Sequence, residues 1–301
     1  SESETSDEEI ITMEENIAHR SRREKKLPKY LDDYEIMLAL SAGHLPSEVP
    51  QSYEEAVKDD GWKEAVAKEF KSLSENKTWT LVQQPENVKV IDSRWIFTEK
   101  KVNGENVKKA RLVARGYQQP ALEDEEIYAP VARMVTLRIL LAITADQNLK
   151  IHQLDVKTAF LKSELKTNVY MKPPDGLNVR DNRLVCKLSK ALYGLRESPK
   201  CWNECINRNL LELNFRRSSV DPCLYFNGVT YILIWVDDLL LFSYSDSDVA
   251  MIKQNLRTNL DVRDLTCSDK IVFLGIEIRK DSDGIYIDQK NLINKVLSHF
   301  N

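Results

Sequence analysis

Metal-ligand spacings are missing from this 301-residue sequence. Its five cysteines, Cys186, Cys201, Cys205, Cys223 and Cys267, form no Cys-x-x-Cys pair, and only four histidines exist to complete a zinc site. An odd set without such spacing points to reduced thiols in an intracellular protein. Long hydrophobic runs are missing too. The longest apolar stretch, residues 231–242, is too short to cross a bilayer and is split by two aspartates, so no membrane partner is expected. The first fifteen residues hold seven acids (Glu2, Glu4, Asp7, Glu8, Glu9, Glu14 and Glu15) and no base, which is unlike a secretory signal; cytoplasm or nucleus is the expected setting. No internal repeat is evident.

What is present is a sequence 42% hydrophobic and 30% charged, enough to bury a sizeable core. The net charge of −4 speaks against a nucleic-acid partner, but it is unevenly spread. Setting aside the seven N-terminal acids leaves the rest at +3, which permits such a partner without requiring one. Residues 1–50 pass from an acidic run to a basic one, then to Pro28, Pro46 and Pro50 with little apolar periodicity, and read as a mostly disordered linker.

Beyond residue 50, Trp62, Val66, Phe70 and Leu73 recur at helical spacing. Two strand-like runs, residues 94–102 and 105–116, flank Asn103-Gly104, a strong hairpin signal. This hairpin carries Lys100, Lys101, Lys108, Lys109, Arg111 and Arg115. Residues 135–146 read as a buried helix and residues 150–156 as a strand ending at Asp155; a helix starts at Ser198. A meander is expected from Cys223 to Phe242, with Asp237-Asp238 at its last turn. A helix through Val249, Ile252, Leu256 and Leu260 follows. Residues 271–278 and 285–287 read as a hairpin closed by Asp283-Gly284, and a helix begins at residue 289. Strands and helices mixed without strict alternation indicate an α+β fold with antiparallel sheet.

Two adjacent carboxylates inside an apolar run carry the chemistry. Burying such charges costs several kcal/mol each unless something compensates, and a divalent cation would do so. Asp155, at the end of another strand, would add the oxygen ligands that magnesium prefers. Two ions about 3.5–4 Å apart can activate an attacking hydroxyl and stabilise a leaving group. Each acid also has a plainer role: a polar hairpin turn for Asp237-Asp238, a helix cap for Asp155. Spacing alone does not decide between these.

The sequence resembles the reverse transcriptase of copia-type LTR retrotransposons, the Pseudoviridae, which is a part of their Gag-Pol polyprotein. The resemblance runs from about Ser52 onward and rests on nine segments in the family's order. They are residues 76–82 (NKTWTLV), 92–97 (DSRWIF), 109–116 (KARLVARG), 129–133 (APVAR), 153–161 (QLDVKTAFL), 169–174 (VYMKPP), 190–196 (KALYGLR), 235–238 (WVDD) and 273–278 (FLGIEI).

The resemblance implies an RNA-directed DNA polymerase of right-hand form over residues 51–301. It would have fingers, and a palm whose antiparallel sheet packs on helices, with the thumb incomplete. It implies Asp155, Asp237 and Asp238 as catalytic, metal-binding carboxylates for two Mg2+ ions, with Mn2+ as a substitute. Lys109 and Arg111 would grip the dNTP triphosphate, Arg suiting phosphate through its bidentate fork. Phe160 would block a ribose 2′-hydroxyl, Tyr193 and Gly194 would pack on the nucleotide, and Phe273, Leu274 and Gly275 would form a primer grip. Lys270 would be an acid for the leaving pyrophosphate. Taken singly, Phe160 and Tyr193 are as readily core aromatics, the basic cluster a solvated face, and residues 273–278 an apolar strand.

The implied partners are an RNA or DNA template-primer and dNTPs, in a cytoplasmic virus-like particle or the nucleus. Capsid, protease, integrase and RNase H modules are expected outside this chain. Three features depart from the family: Trp235 stands where Tyr is usual, the segment between Gln119 and Tyr128 is short, and the chain stops before a full thumb. A catalytically dead, nucleic-acid-binding remnant of a transposon polyprotein is the alternative from another class.

Overall fold

The computed structural model describes residues 49–102, 105–121, 127–266 and 270–300. The expected linker, the Asn103-Gly104 turn and Cys267 therefore lie outside the described residues, apart from residues 49 and 50 of the linker. Among the described residues the helices longer than four residues are α1 (Asp60–Glu75), α2 (Met134–Gln147), α3 (Ser198–Glu212), α4 (Asp246–Asn259) and α5 (Lys290–Phe300). The strands are β1 (Trp79–Gln83), β2 (Val90–Ile91), β3 (Ser93–Val102), β4 (Glu105–Ala114), β5 (Lys150–Val156), β6 (Glu164–Met171), β7 (Leu184–Lys190) and β8 (Arg216–Arg217). They continue with β9 (Leu224–Phe226), β10 (Thr230–Trp235), β11 (Asp238–Ser243), β12 (Val262–Asp264), β13 (Ile271–Phe273), β14 (Ile276–Lys280) and β15 (Ile285–Asp288).

A six-stranded antiparallel sheet, ordered β12-β5-β11-β10-β9-β8, forms the centre. Its inner strands are buried on both faces: Ile232, Leu233, Ile234 and every residue of 239–242 are at most 3% exposed. One face packs on α3 and α4 through Trp202, Ile206, Leu210, Val249, Ile252 and Leu256. The other face packs on α2 and on a separate three-stranded sheet, β13-β14-β15, through Leu137, Leu140, Phe273, Ile276 and Ile278.

Alternation assigns side chains to these faces. Leu154 and Val156 of β5 join the α3–α4 side, and Ile151 joins the α2 side. Gln153 and Asp155, at the same parity as Ile151, therefore face α2 and the β13–β15 sheet.

The β3–β4 hairpin packs on α1 through Trp62 against Phe97 and Phe70 against Trp95, both edge-on, with ring centroids 5.6 and 5.1 Å apart. Asp59 caps α1 by accepting the Trp62 N–H at 2.9 Å and also pairs with Lys108 of β4 at 2.7 Å. A four-stranded sheet, β1-β7-β6-β2, completes this second core, with β2 parallel to β6.

Three sequence expectations change. Helix α2 is not buried all round: Val135 and Ile139 are 63% and 54% exposed, while Leu137, Leu140, Leu141 and Thr144 form its inner face. Residues 271–278 are two strands with a turn at Leu274-Gly275, because both residues adopt positive φ (+54° and +72°). The third change, at Asp237-Asp238, belongs to the site below.

Candidate active site

The β10–β11 hairpin pairs Trp235 with Asp238, so the two-residue turn is Val236-Asp237 and Asp238 is the first residue of β11. The register explains the shift from the expected turn. Asp238 is needed opposite Asp155, where the ladder to β5 begins. Val236 consequently adopts φ +54°, a conformation that β-branched residues rarely enter and that costs about 1–3 kcal/mol. Trp202 of α3 holds the turn there, its indole N–H donating to the Val236 carbonyl at 2.5 Å. The Val156 N–H donates to the Asp237 carbonyl at 2.8 Å, tying the turn to the end of β5.

Asp155 and Asp238 are cross-strand partners and so project from the same sheet face. Asp237 lies on the adjoining turn, half-buried. Burial pushes its carboxyl above the ordinary aspartate value and the charge of Asp155 adds to this. A backbone hydrogen bond, Arg111 and Lys109 pull the other way without restoring it. A buried carboxyl raised by burial and by a neighbouring acid marks a site short of positive charge, and hard carboxylate oxygens suit magnesium. That ion is commonly held by only one or two carboxylates plus water and substrate phosphate. Among the described residues no group of three or more His, Cys, Asp or Glu side chains stands arranged to hold a metal ion. The Asp155–Asp237 pair thus fits such an ion, and Asp238 is beside it without completing a cage.

Cations border Asp237, and an aromatic pair braces one of them. The Arg111 guanidinium sits 5.0 Å from the centroid of the Tyr193 ring, whose partner in turn is Phe160, edge-on at 4.7 Å. Phe160 is 4% exposed, in the short helical turn Ala159–Lys162 that follows β5. The hairpin is clamped to this wall: the Ala114 N–H donates to the Tyr193 carbonyl at 2.8 Å. Gly194, at φ +89°, has no room for a side chain, since a Cβ there would stand 2.1 Å from the Ala114 carbonyl oxygen. Lys109, whose charge also reaches Asp237, is on the same strand as Arg111.

The segment expected to grip a primer is placed on the α2 side of the sheet, with Phe273 buried and Leu274-Gly275 forming the turn. Lys270 pairs with Glu277 of that segment at 3.3 Å. A polar cavity of about 440 Å³, lined by His152, Asp246, Lys253, Arg257, Asp264 and Thr266 among others, lies on the opposite sheet face from Asp155 and takes no part in this grouping.

Three residues of the site were not singled out from sequence. Glu69 of α1 accepts the Leu112 N–H at 3.2 Å; burial raises its carboxyl, opposed by that hydrogen bond and by Arg111 and Lys109. Its position on the stripe of Trp62, Val66, Phe70 and Leu73 was the available signal, an acid on an apolar face. Trp202 and Gln153 carried no signal beyond ordinary core placement.

Comparison with known proteins bears on this geometry. The sequence model of the family described as "Reverse transcriptase (RNA-dependent DNA polymerase)" matches residues 76–301. The Pol polyprotein from transposon RE1 of Arabidopsis thaliana is 35% identical over 278 residues, covering 89% of this chain and 18% of the relative. The Pol polyprotein from transposon TNT 1-94 of Nicotiana tabacum is 33% identical over 246 residues, 79% of this chain and 18% of the relative. The Ty1-DR4 Gag-Pol polyprotein of Saccharomyces cerevisiae is 31% identical over 228 residues, 72% and 14%. The chain spans less than a fifth of the length of these relatives. With the family match running from β1 to α5 and taking in both acids, this chain belongs to the reverse transcriptase family of copia-type transposon Pol polyproteins.

Proposed function

We propose that the chain is an RNA-directed DNA polymerase, joining dNTPs to a primer 3′-hydroxyl on an RNA or DNA template. The observation that carries this reading is the convergence of Asp155 and Asp237 beside Arg111, Lys109 and the Tyr193–Phe160 wall. In this reading the β3–β4 hairpin serves as fingers and the six-stranded sheet as palm, the right-hand arrangement of such enzymes.

Each residue has a task set by its surroundings. Arg111 and Lys109 neutralise the triphosphate of the incoming nucleotide, Arg111 being braced by Tyr193. Gly194 lets backbone approach backbone where the hairpin meets the Tyr193 loop. Phe160, locked edge-on by Tyr193, presents a rigid ring to the sugar and excludes a 2′-hydroxyl. Asp155 and Asp237 would hold the cations to which the hydroxyl and the α-phosphate bind, with Asp238, across the ladder from Asp155, as a nearby third carboxylate. Two magnesium ions, or manganese in their place, would supply charge neutralisation and acidify the primer hydroxyl when bound by these acids. The contribution of the protein is positioning and fixed charge, as in phosphoryl transfer generally.

Primer extension on an RNA template with magnesium tests the reading. Extension by the wild type that is lost in Asp237→Asn supports it. Template binding without extension would instead favour a nucleic-acid-binding remnant of a transposon polyprotein.

A further inference from the structure

The segment that the family resemblance marks as a primer grip shares no strand pairing with the sheet that bears the acids among the described residues, because β13–β15 form a sheet of their own. Apolar packing of Phe273, Ile276 and Ile278 on Leu233, Leu240 and Phe242 joins the two. Such packing is strong but non-directional, and it tolerates sliding of one layer over the other. A directional link exists. Gln153 of β5, only 7% exposed, donates from its side-chain amide to the Val272 carbonyl at 3.0 Å.

The same residue is fixed at its main chain from the other side. Its N–H donates to the Thr266 hydroxyl at 3.2 Å and its carbonyl accepts the Leu265 N–H at 2.9 Å. Gln153 therefore cannot shift without β5, and Asp155 is two residues further along the same face, about 7 Å away at strand spacing.

We propose that Gln153 is a positioning residue that sets the 271–278 hairpin, and with it the primer terminus, in register with Asp155. The inference rests on the polymerase reading and extends it to how the primer end is located. Lys280 of β14 also donates to the Leu149 carbonyl at 2.7 Å, at the far end of β5 from Asp155, so the Gln153 bond is the directional link nearer the acid. Misplacing a reacting atom by about 1 Å can cost on the order of 100-fold in rate, which gives that bond leverage beyond its own strength. A residue of similar length without a donor, as in Gln153→Met, keeps the packing and removes the link. Gln153→Glu keeps the shape and sets a carboxylate against the Val272 carbonyl.

Single-turnover extension of a primer–template with saturating dNTP separates positioning from folding. In Gln153→Met the rate per active molecule should fall by about 10-fold or more, within the range that misplacement allows. The dNTP KM should stay within about 2-fold and the burst amplitude should match the wild type. A lowered amplitude at an unchanged rate would show a merely structural residue and overturn the proposal.

Amide hydrogen exchange gives a readout that does not need activity. Residues 271–278 should exchange faster in Gln153→Met and in Gln153→Glu, while β10 and β11 keep wild-type protection. Unchanged exchange in the hairpin overturns the link. Should Gln153→Met not fold, Gln153→Glu carries both measurements. If the wild type binds primer–template without extending it, the polymerase reading fails and the primer-setting role falls with it, and exchange alone then decides whether Gln153 couples hairpin to strand.

Discussion

Placing an alanine at residue 194 probes a close backbone approach between the basic hairpin and the Tyr193 segment. The Cβ would meet the Ala114 carbonyl oxygen at 2.1 Å and Val113 Cγ1 at 2.6 Å, on a residue at φ +89°. Left-handed conformation costs an L-residue about 1–2 kcal/mol. Crowding against a backbone that cannot turn away adds about 1–3 kcal/mol, the usual range for overpacking. Gly194→Ala should therefore lose about 2–5 kcal/mol out of a total of about 5–15.

Gly228→Ala supplies the reference. Gly228 also has positive φ (+95°) but nothing within 4 Å of its would-be Cβ, so only the conformational part, about 1–2 kcal/mol, should appear. Urea unfolding followed by tryptophan fluorescence measures both. With a slope of about 3 kcal/mol per molar, Gly194→Ala should move the midpoint by about 1 M and Gly228→Ala by about 0.5 M. Equal midpoints for the two variants would refute the close approach and, with it, the clamp between the basic hairpin and the Tyr193 wall.

Further outcomes follow from the site and its supports. Trp202→Phe deletes the donor to the Val236 carbonyl, for a loss of about 1 kcal/mol in stability; extension rate per active molecule should drop as the Asp237 turn relaxes, and an unchanged rate would contradict that support role. Phe160→Ala should cost about 3–5 kcal/mol as a buried aromatic truncation, and the surviving active fraction should incorporate ribonucleotides more readily; an unaltered sugar preference counts against the gate. Burial works to raise Asp264, but hydrogen bonds from Lys253 and Thr266 outweigh it and hold the carboxyl at about 2. Because the folded value is depressed, its stabilisation is present above about pH 4 and is lost as pH falls toward 2. Asp264→Asn should flatten the melting-midpoint curve in that window, and parallel curves for variant and wild type would exclude the pair as its source.

Much of the central sheet was legible because its signals are local. The strand over residues 150–156 and the helix starting at Ser198 coincide with β5 and α3, where apolar period and flanking residues agree. The errors arose where tertiary structure overrides a local preference. Sequence favours aspartate over valine in a turn, yet the pairing of Asp238 with Asp155 moves the turn back by one residue onto Val236. Leu274-Gly275 reads as part of a strand because leucine seldom accepts positive φ. Strand β6 alternates in burial, but Thr167 on its inner face and Tyr170 on its outer face blur the apolar pattern in sequence. Of the site, the acids and the basic pair were legible as residue types in a family order. What brings them together, namely Trp202 and the fit of Gly194 against Ala114, depends on contacts between distant segments and leaves no mark on spacing.

Asp237 and Asp238 are neighbours in the chain, and both are tied to β5, but they are held by different kinds of support. Asp238 is anchored by ladders to β5 and β10 and moves only with the sheet. Asp237 lies on a turn held by the Val156 N–H and by the Trp202 indole, which is 34 residues before Val236. Substitutions along α3 can therefore alter the seat of Asp237 through the Val236 carbonyl while leaving the Asp-Asp pair itself untouched.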